Sequence, residues 1–184
     1  MNTFYIFRDD DLEQLKELKI NNKNATFEYF PNPKIPLIFR KNPPILCLGS
    51  FFGARKCIEF LLNNLGYDIN MYDCDGLLPI HYAIAGNKLK EVEHLIKFGS
   101  KMDGIIYYSI LFENIKILQY ALNNNIDNIN NKFNDVFPLD LAKKINNSLI
   151  ISLLIASGAN NDIVKVPNVV KKEKEIIGVI LFNI

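Results

Sequence analysis

The stretch from Asp73 to Asp103, DCDGLLPIHYAIAGNKLKEVEHLIKFGSKMD, constrains the fold more than any other part of the chain. Gly76 stands where a tight turn needs a positive φ, which a residue without Cβ adopts at little cost. Pro79 suits the first position of a helix, where its missing N–H would have had no intrahelical partner. Ile80, Ala83 and Ile84 then fall at i, i+3 and i+4, one face of a first helix. Leu89, Val92, Leu95 and Ile96 repeat that pattern in a second helix, which Gly99 stops in the left-handed region. The stretch reads as turn, helix, turn, antiparallel helix. A pair of helices this short cannot bury its apolar faces alone, so copies are expected on both sides.

Asp73, Gly76, Pro79, Ile80, His81, Ala83, Val92, Leu95, Ile96 and Gly99 stand at the spacing of D-x-x-G-x-T-P-L-H-x-A…V-x-x-L-L-x-x-G-A. The stretch thereby resembles an ankyrin repeat. Leu78 departs from the pattern, replacing a Thr whose hydroxyl would cap the first helix, a loss of typically ~1 kcal/mol. A second match runs over 131–162. There Phe137-Pro138-Leu139-Asp140-Leu141-Ala142 occupies the T-P-L-H-x-A place, with Asp140 where the pattern has His. The stretch CLGSFFGARKCIEFLLNNLGYDIN, from Cys47 to Asn70, looks like the divergent ankyrin-type repeats of large protist protein families. The resemblance implies an all-α ankyrin-repeat solenoid of about four to five helix-turn-helix repeats, with short or irregular β-hairpin fingers.

The expected repeat domain covers 1–162. Residues 1–20 read as a worn N-terminal repeat, with Leu12, Leu15 and Leu18 as a helical stripe and Asp9-Asp10-Asp11 suited to a helix N-terminus. Residues 21–44 break the period as a long inserted loop. Five prolines (Pro31, Pro33, Pro36, Pro43 and Pro44) hold it partly extended, and Phe27, Tyr29, Phe30 and Phe39 make it too aromatic for a free linker. Repeats follow at 45–72, 73–103, 104–130 and 131–162. Aligning Leu122 with Ile96 shortens the period between Ser100 and Ile105, which clips the finger there. Residues 163–184 read as a capping tail, a charge run Lys171–Glu175 followed by the apolar Ile176–Ile184.

The 184 residues carry a net charge of +1, with both signs mixed along the chain. No global electrostatic case for nucleic acid or an anionic membrane follows. Arg8 and the acidic triplet cut short the apolar Met1–Phe7, and Ile176–Ile184 is too short to span a bilayer. Cys47, Cys57 and Cys74, an odd number lying in or beside repeats, suit reduced thiols in a cytoplasmic or nuclear protein.

Catalytic chemistry finds little support. In the resembled family the residue at the place of His81 is structural, hydrogen-bonding between neighbouring turns. His94 lies mid-helix between Glu91 and Lys97, half exposed, and is the residue nearest to a pH-sensitive group. Cys47, Cys57, Cys74 and His81 lack paired metal-ligand spacing, and no third group completes a Cys–His nucleophile. No catalytic residue, metal or cofactor is expected. The runs Asn123–Asn125 and Asn128–Asn131 read as solvated turns. The resemblance implies a non-enzymatic protein–protein interaction module of adaptor or inhibitor type, a monomer binding one or more proteins on its concave, hairpin side. The places facing that side are Cys74, Asp75, Leu77, Tyr82, Lys88, Tyr107, Phe133, Asn134 and Val136, with Tyr82 the preferred anchor because tyrosine combines contact area with a polar tip. Two other readings stand beside it: a scaffold self-associating through the apolar tail, and an enzyme with a cysteine nucleophile.

Overall fold

The computed structural model describes residues 3–20, 22–30, 32 and 35–160. The expected capping tail at 163–184 lies outside them. Among the described residues all regular structure is helical: α1 (Thr3–Arg8), α2 (Leu12–Glu17), α3 (Ile45–Phe52), α4 (Arg55–Asn63), α5 (Pro79–Ala85), α6 (Leu89–Lys97), α7 (Ile105–Leu111), α8 (Ile115–Asn123), α9 (Pro138–Ile145) and α10 (Ser148–Ala156), with a 3-10 turn at Leu37–Phe39. Isolated bridges, Thr26 with Pro44 and Phe133 with Val136, stand where hairpin fingers would form ladders. The fold is all-α, and its fingers are irregular turns. The chain forms two compact units, one up to Lys101 and one from Met102.

One turn recurs in every helix pair. Between the two helices a residue enters the left-handed region: Asp10 (φ 50°), Gly53 (70°), Asn87 (54°), Glu113 (55°) and Asn146 (63°). The next amide reaches back five residues. Asp11 donates to the Ile6 carbonyl at 2.9 Å, Ala54 to Gly49 at 3.0 Å, Lys88 to Ala83 at 2.9 Å, Asn114 to Ser109 at 2.8 Å and Asn147 to Ala142 at 3.4 Å. Such a bond satisfies a carbonyl that the ending helix leaves without a partner. Gly99 (φ 91°) and Gly158 (φ 93°) close α6 and α10 in the same way, with Ser100 donating to Leu95 at 3.0 Å and Ala159 to Leu154 at 2.9 Å.

The acidic triplet caps two helices. Asp11 accepts from the Gln14 amide at 3.0 Å in the first turn of α2. Asp10 reaches the next pair, where its carboxylate accepts from Cys57 at 3.0 Å and Lys56 at 3.3 Å in the first turn of α4. Both contacts place negative charge at a helix N-terminus, where the backbone dipole favours it.

In the first unit α3 packs on α5, and α1 on α3. Leu46, Cys47, Leu48, Ile58, Leu61, Ile80, Ala83, Ile84, Val92 and Leu95 are fully buried there. The described part of 21–44 folds back into this core: Phe27, Ile35 and Phe39 are buried. Backbone bonds tie its two ends together, Phe27 N–H to Pro43 O at 2.8 Å and Ile45 N–H to Ala25 O at 3.0 Å. Phe39 is the hub of an aromatic cluster, 6.4 Å from Phe4, 5.8 Å from Phe27, 5.0 Å from Phe51 and 6.0 Å from Tyr82 between ring centres. Each such pair adds about 0.5–1.5 kcal/mol beyond burial.

In the second unit α7 packs on α8 and α9, and every residue of α7 is buried. The segment before α7 (98–104) is short beside 64–78 and 124–137, and Phe133 fills the space of a longer finger. Its ring lies against Gly104, where a Cβ would come within 2.7 Å of it, and centres 5.1 Å and 5.7 Å from Tyr107 and Tyr108.

Candidate functional site

The finger around Asp73 is an exposed feature of the first unit held by side-chain hydrogen bonds. This carboxylate builds the turn: Oδ1 accepts from the amides of Asp75 and Leu77, both at 2.8 Å. Oδ2 accepts from the Tyr82 hydroxyl at 2.6 Å, which fastens the finger to α5. Gly76 completes the turn at φ 80°. Along the finger exposure alternates, as in an extended chain. Tyr72 is 53% exposed and Cys74 is exposed, while Asp73 and Asp75 are half-buried.

Neighbouring segments brace this finger. Lys41, from the inserted loop, places Nζ 2.6 Å from Asp75 Oδ1. Lys101 holds Nζ 5.4 Å from the Tyr72 ring centre and 3.5 Å from its hydroxyl. Asn70 clamps the base of the finger to the end of α6: its carboxamide donates to Gly99 O at 3.2 Å and accepts from Lys101 N–H at 2.7 Å. The second unit repeats the clamp with Asn130, which donates to Gly158 O at 3.2 Å and accepts from Asn160 N–H at 2.8 Å. The Asn-rich turn read above as solvated loop therefore holds a structural clamp. The signal lay in the recurrence of Ile-Asn at Ile69-Asn70 and Ile129-Asn130.

The nine candidate positions separate by burial. Cys74, Lys88 and Asn134 are exposed, and Asp75, Phe133 and Val136 half-buried. Leu77 (3%), Tyr82 (1%) and Tyr107 (2%) are buried, which removes them as contact residues for a partner. For Tyr82 the physical reason is nonlocal. Phe39 stacks on its ring at a 12° interplanar angle, and Asp73 takes its hydroxyl. Burial, with the negative groups nearby, pushes that phenol far above its usual range. Cys74 and Asp75 share the finger with Tyr72, which the sequence reading passed over. Lys88 sits apart at the start of α6, its stem lying over Gly53. Phe133, Asn134 and Val136 belong to one tight turn of the second unit, closed by reciprocal bonds between Phe133 and Val136 at 3.0 Å and 3.1 Å.

Cys47 and Cys57 are buried. Burial pushes the Cys47 thiol well above its ordinary range. Burial and the adjacent Asp10 push Cys57 up to about 12. Both shifts disfavour the thiolate that nucleophilic attack requires. His81 is buried, and its Nδ1 accepts from the Leu78 amide at 3.1 Å. The imidazole thus satisfies a backbone donor at the start of α5, where Leu78 has no hydroxyl to cap the helix. His94 is more enclosed than its position in sequence implied, at 11% side-chain exposure. Its Nδ1 lies 2.9 Å from Glu91 Oε1 and its Nε2 3.1 Å from Glu59 Oε1, and Arg55 Nε is 3.6 Å from the buried Glu91. The cluster ties α4 to α6. Among the described residues no group of His, Cys, Asp and Glu could hold a metal ion, and no helix is long and apolar enough to cross a membrane.

No family model matches the chain. It is similar to a curated ankyrin repeat protein of Rickettsia felis, 30% identical over 99 residues that make up 53% of this chain and 36% of that protein. It is also similar to an ankyrin repeat protein of fowlpox virus, 30% identical over 130 residues, 64% of this chain and 38% of that protein. The chain thus spans less than two fifths of the length of these relatives. Paired short helices, a left-handed turn repeated in each pair and likeness to two proteins so named lead to one conclusion: the chain is similar to ankyrin-repeat proteins.

Proposed function

We propose that the chain is a non-enzymatic protein-binding module, and that the finger carrying Tyr72, Cys74 and Asp75 meets the partner. The observation that carries this reading is Tyr72 itself, 53% exposed on a finger held by Asp73, Asn70, Lys41 and Lys101. A large side chain left in water on a braced support loses little freedom on association. Tyrosine is also among the residues that most often dominate binding energy. The ring, the Lys101 ammonium beside it and the Lys41–Asp75 pair suit a partner with an apolar anchor and a carboxylate near it. Burial raises both buried thiols, which disfavours a cysteine nucleophile and supports binding over catalysis. A monomer acting as adaptor or inhibitor in the cytoplasm or nucleus fits the reduced thiols.

The test is capture of partners from source-cell lysate by wild type and by Tyr72→Ala/Lys101→Glu, two exposed positions whose exchange leaves the core intact. Captured proteins are identified and rebound in purified form. Loss of about tenfold or more in affinity by the variant, with melting unchanged, is the expected result for a binding anchor. Equal affinity moves the site off this finger.

A further inference from the structure

The turn that follows α8 in the second unit is one residue longer than its counterpart in the first. Both begin on a left-handed residue, Gly66 (φ 64°) and Asn125 (φ 48°), and both end on a clamp asparagine, Asn70 and Asn130. The same short bond precedes each clamp: Asn70 N–H donates to Asp68 Oδ1 at 2.8 Å, and Asn130 N–H to Asn128 Oδ1 at 2.9 Å. Asn128 therefore stands at the place of Asp68, and Ile126-Asp127 replaces the single Tyr67. Tyr67 is 5% exposed, its hydroxyl donating to Asn22 O at 2.8 Å, whereas Ile126 and Asp127 are half-buried. Beside them the second unit has a cleft of about 440 Å³, with Leu122, Ile126, Asp127, Asn128, Ile129 and Ser157 among its walls. Sites for small ligands and single side chains span roughly 300–1,000 Å³.

The walls of this cleft favour a cation. Leu122 lies in the last turn of α8 and Ser157 caps the end of α10, and the carbonyl end of a helix carries the negative pole of its dipole. Asp127 adds a carboxylate, whose Oδ1 accepts from the Asn128 amide at 2.8 Å. Among the described residues no lysine or arginine lines the cleft. Burial pushes the Asp127 carboxyl up from its usual range and the charge of Asp103 adds to this, as expected where desolvation of a carboxylate outweighs its hydrogen bond. Leu122, Ile126 and Ile129 supply aliphatic surface of the kind along which a lysine lays its stem while its ammonium meets a polar group. We propose that the cleft takes a lysine side chain of a partner protein, its stem along Leu122, Ile126 and Ile129 and its ammonium at Asp127 and the carbonyl end of α8. With Oδ1 already bonded, Asp127 suits a point charge better than the two-pronged fork of a guanidinium. The proposal rests on the chain being a protein-binding module, and adds a contact on the second unit to the finger of the first.

Titration of the full chain with Nα-acetyl-lysine-N-methylamide, followed by amide NMR, tests this. The norleucine derivative, which lacks the ammonium, controls for apolar binding, and the arginine derivative for the choice of head group. The expected result is a saturable shift of the Asp127, Asn128 and Ile129 amides with the lysine derivative and none with norleucine. Asp127→Asn keeps an oxygen for the Asn128 amide and should melt with wild type, yet bind the lysine derivative about threefold or more weaker, the scale of one solvent-accessible ion pair. Absence of a saturable shift, equal affinity in Asp127→Asn, or equal shifts with norleucine overturns the proposal. Tighter binding of the arginine derivative overturns the choice of an ammonium. The titration uses no partner protein, so its failure and the failure of the finger to bind a captured partner are read separately.

Discussion

Asp73 makes three of the hydrogen bonds that define the finger, two from backbone amides and one from Tyr82. Hydrogen bonds to a charged group contribute about 1.5–3 kcal/mol each. Tyr82→Phe should therefore cost about 1.5–2 kcal/mol in urea unfolding, and Asp73→Ala about 3 kcal/mol or more because it also strands two amides. A smaller loss for Asp73→Ala than for Tyr82→Phe would contradict this assignment. Glycines separate the same way. A Cβ on Gly86 would lie 1.9 Å from the carbonyl oxygen of Phe51, so Gly86→Ala must displace backbone. Gly76 has nothing within 4 Å, so Gly76→Ala meets only its φ of 80°, a cost of about 1–2 kcal/mol. Gly86→Ala should be clearly the more damaging, read as urea midpoints. The turn residues were legible in sequence because Gly, Pro and Asp act on their own backbone. The fate of Tyr82 was not, because the ring that buries it, Phe39, lies in a loop outside the repeat pattern.

At the level of elements, what joins one helix pair to the next is a small set of polar reaches. Asp10 caps α4, Asn70 and Asn130 clamp the bases of fingers, and Glu59 and Glu91 hold His94 between α4 and α6. Asn70→Ala and Asn130→Ala should each cost about 1–2 kcal/mol, the cost of unsatisfied backbone groups. Hydrogen exchange should show faster exchange at Lys101 in the first variant and at Asn160 in the second; unchanged exchange there would remove the clamp. The helix pairs themselves were readable from apolar spacing, which repeats at the helical period. The inserted loop was readable as aromatic, proline-rich and no free linker, but the residues it meets were not, since its contacts come from residues far apart in sequence: Phe27 and Phe39 against Phe4, and Lys41 against Asp75.

For the whole molecule, the buried thiols set an alkaline limit. An unfolded thiol ionises near 9.0, whereas folded Cys57 holds its proton up to about 12 and folded Cys47 is also well above 9.0. Below pH 9 both states keep these protons and stability is unaffected. Between about 9 and 12 the unfolded chain loses them first, so stability falls as pH rises. Cys57→Ala should flatten that slope in urea titrations, and an unchanged slope would count against the buried-thiol account. Alkylation of native protein at neutral pH should modify exposed Cys74 alone. The proposed binding face was the least legible feature, because exposure is a property of the packed chain: the sequence reading prefers Tyr82 and passes over Tyr72, and the two differ by 1% against 53% exposure once folded. The most direct test of the central claim is the hydrogen-exchange footprint of a purified partner on this protein. Protection concentrated in 70–76 and 99–101 is the predicted result. A tight complex that leaves those amides unprotected and covers another surface would contradict it.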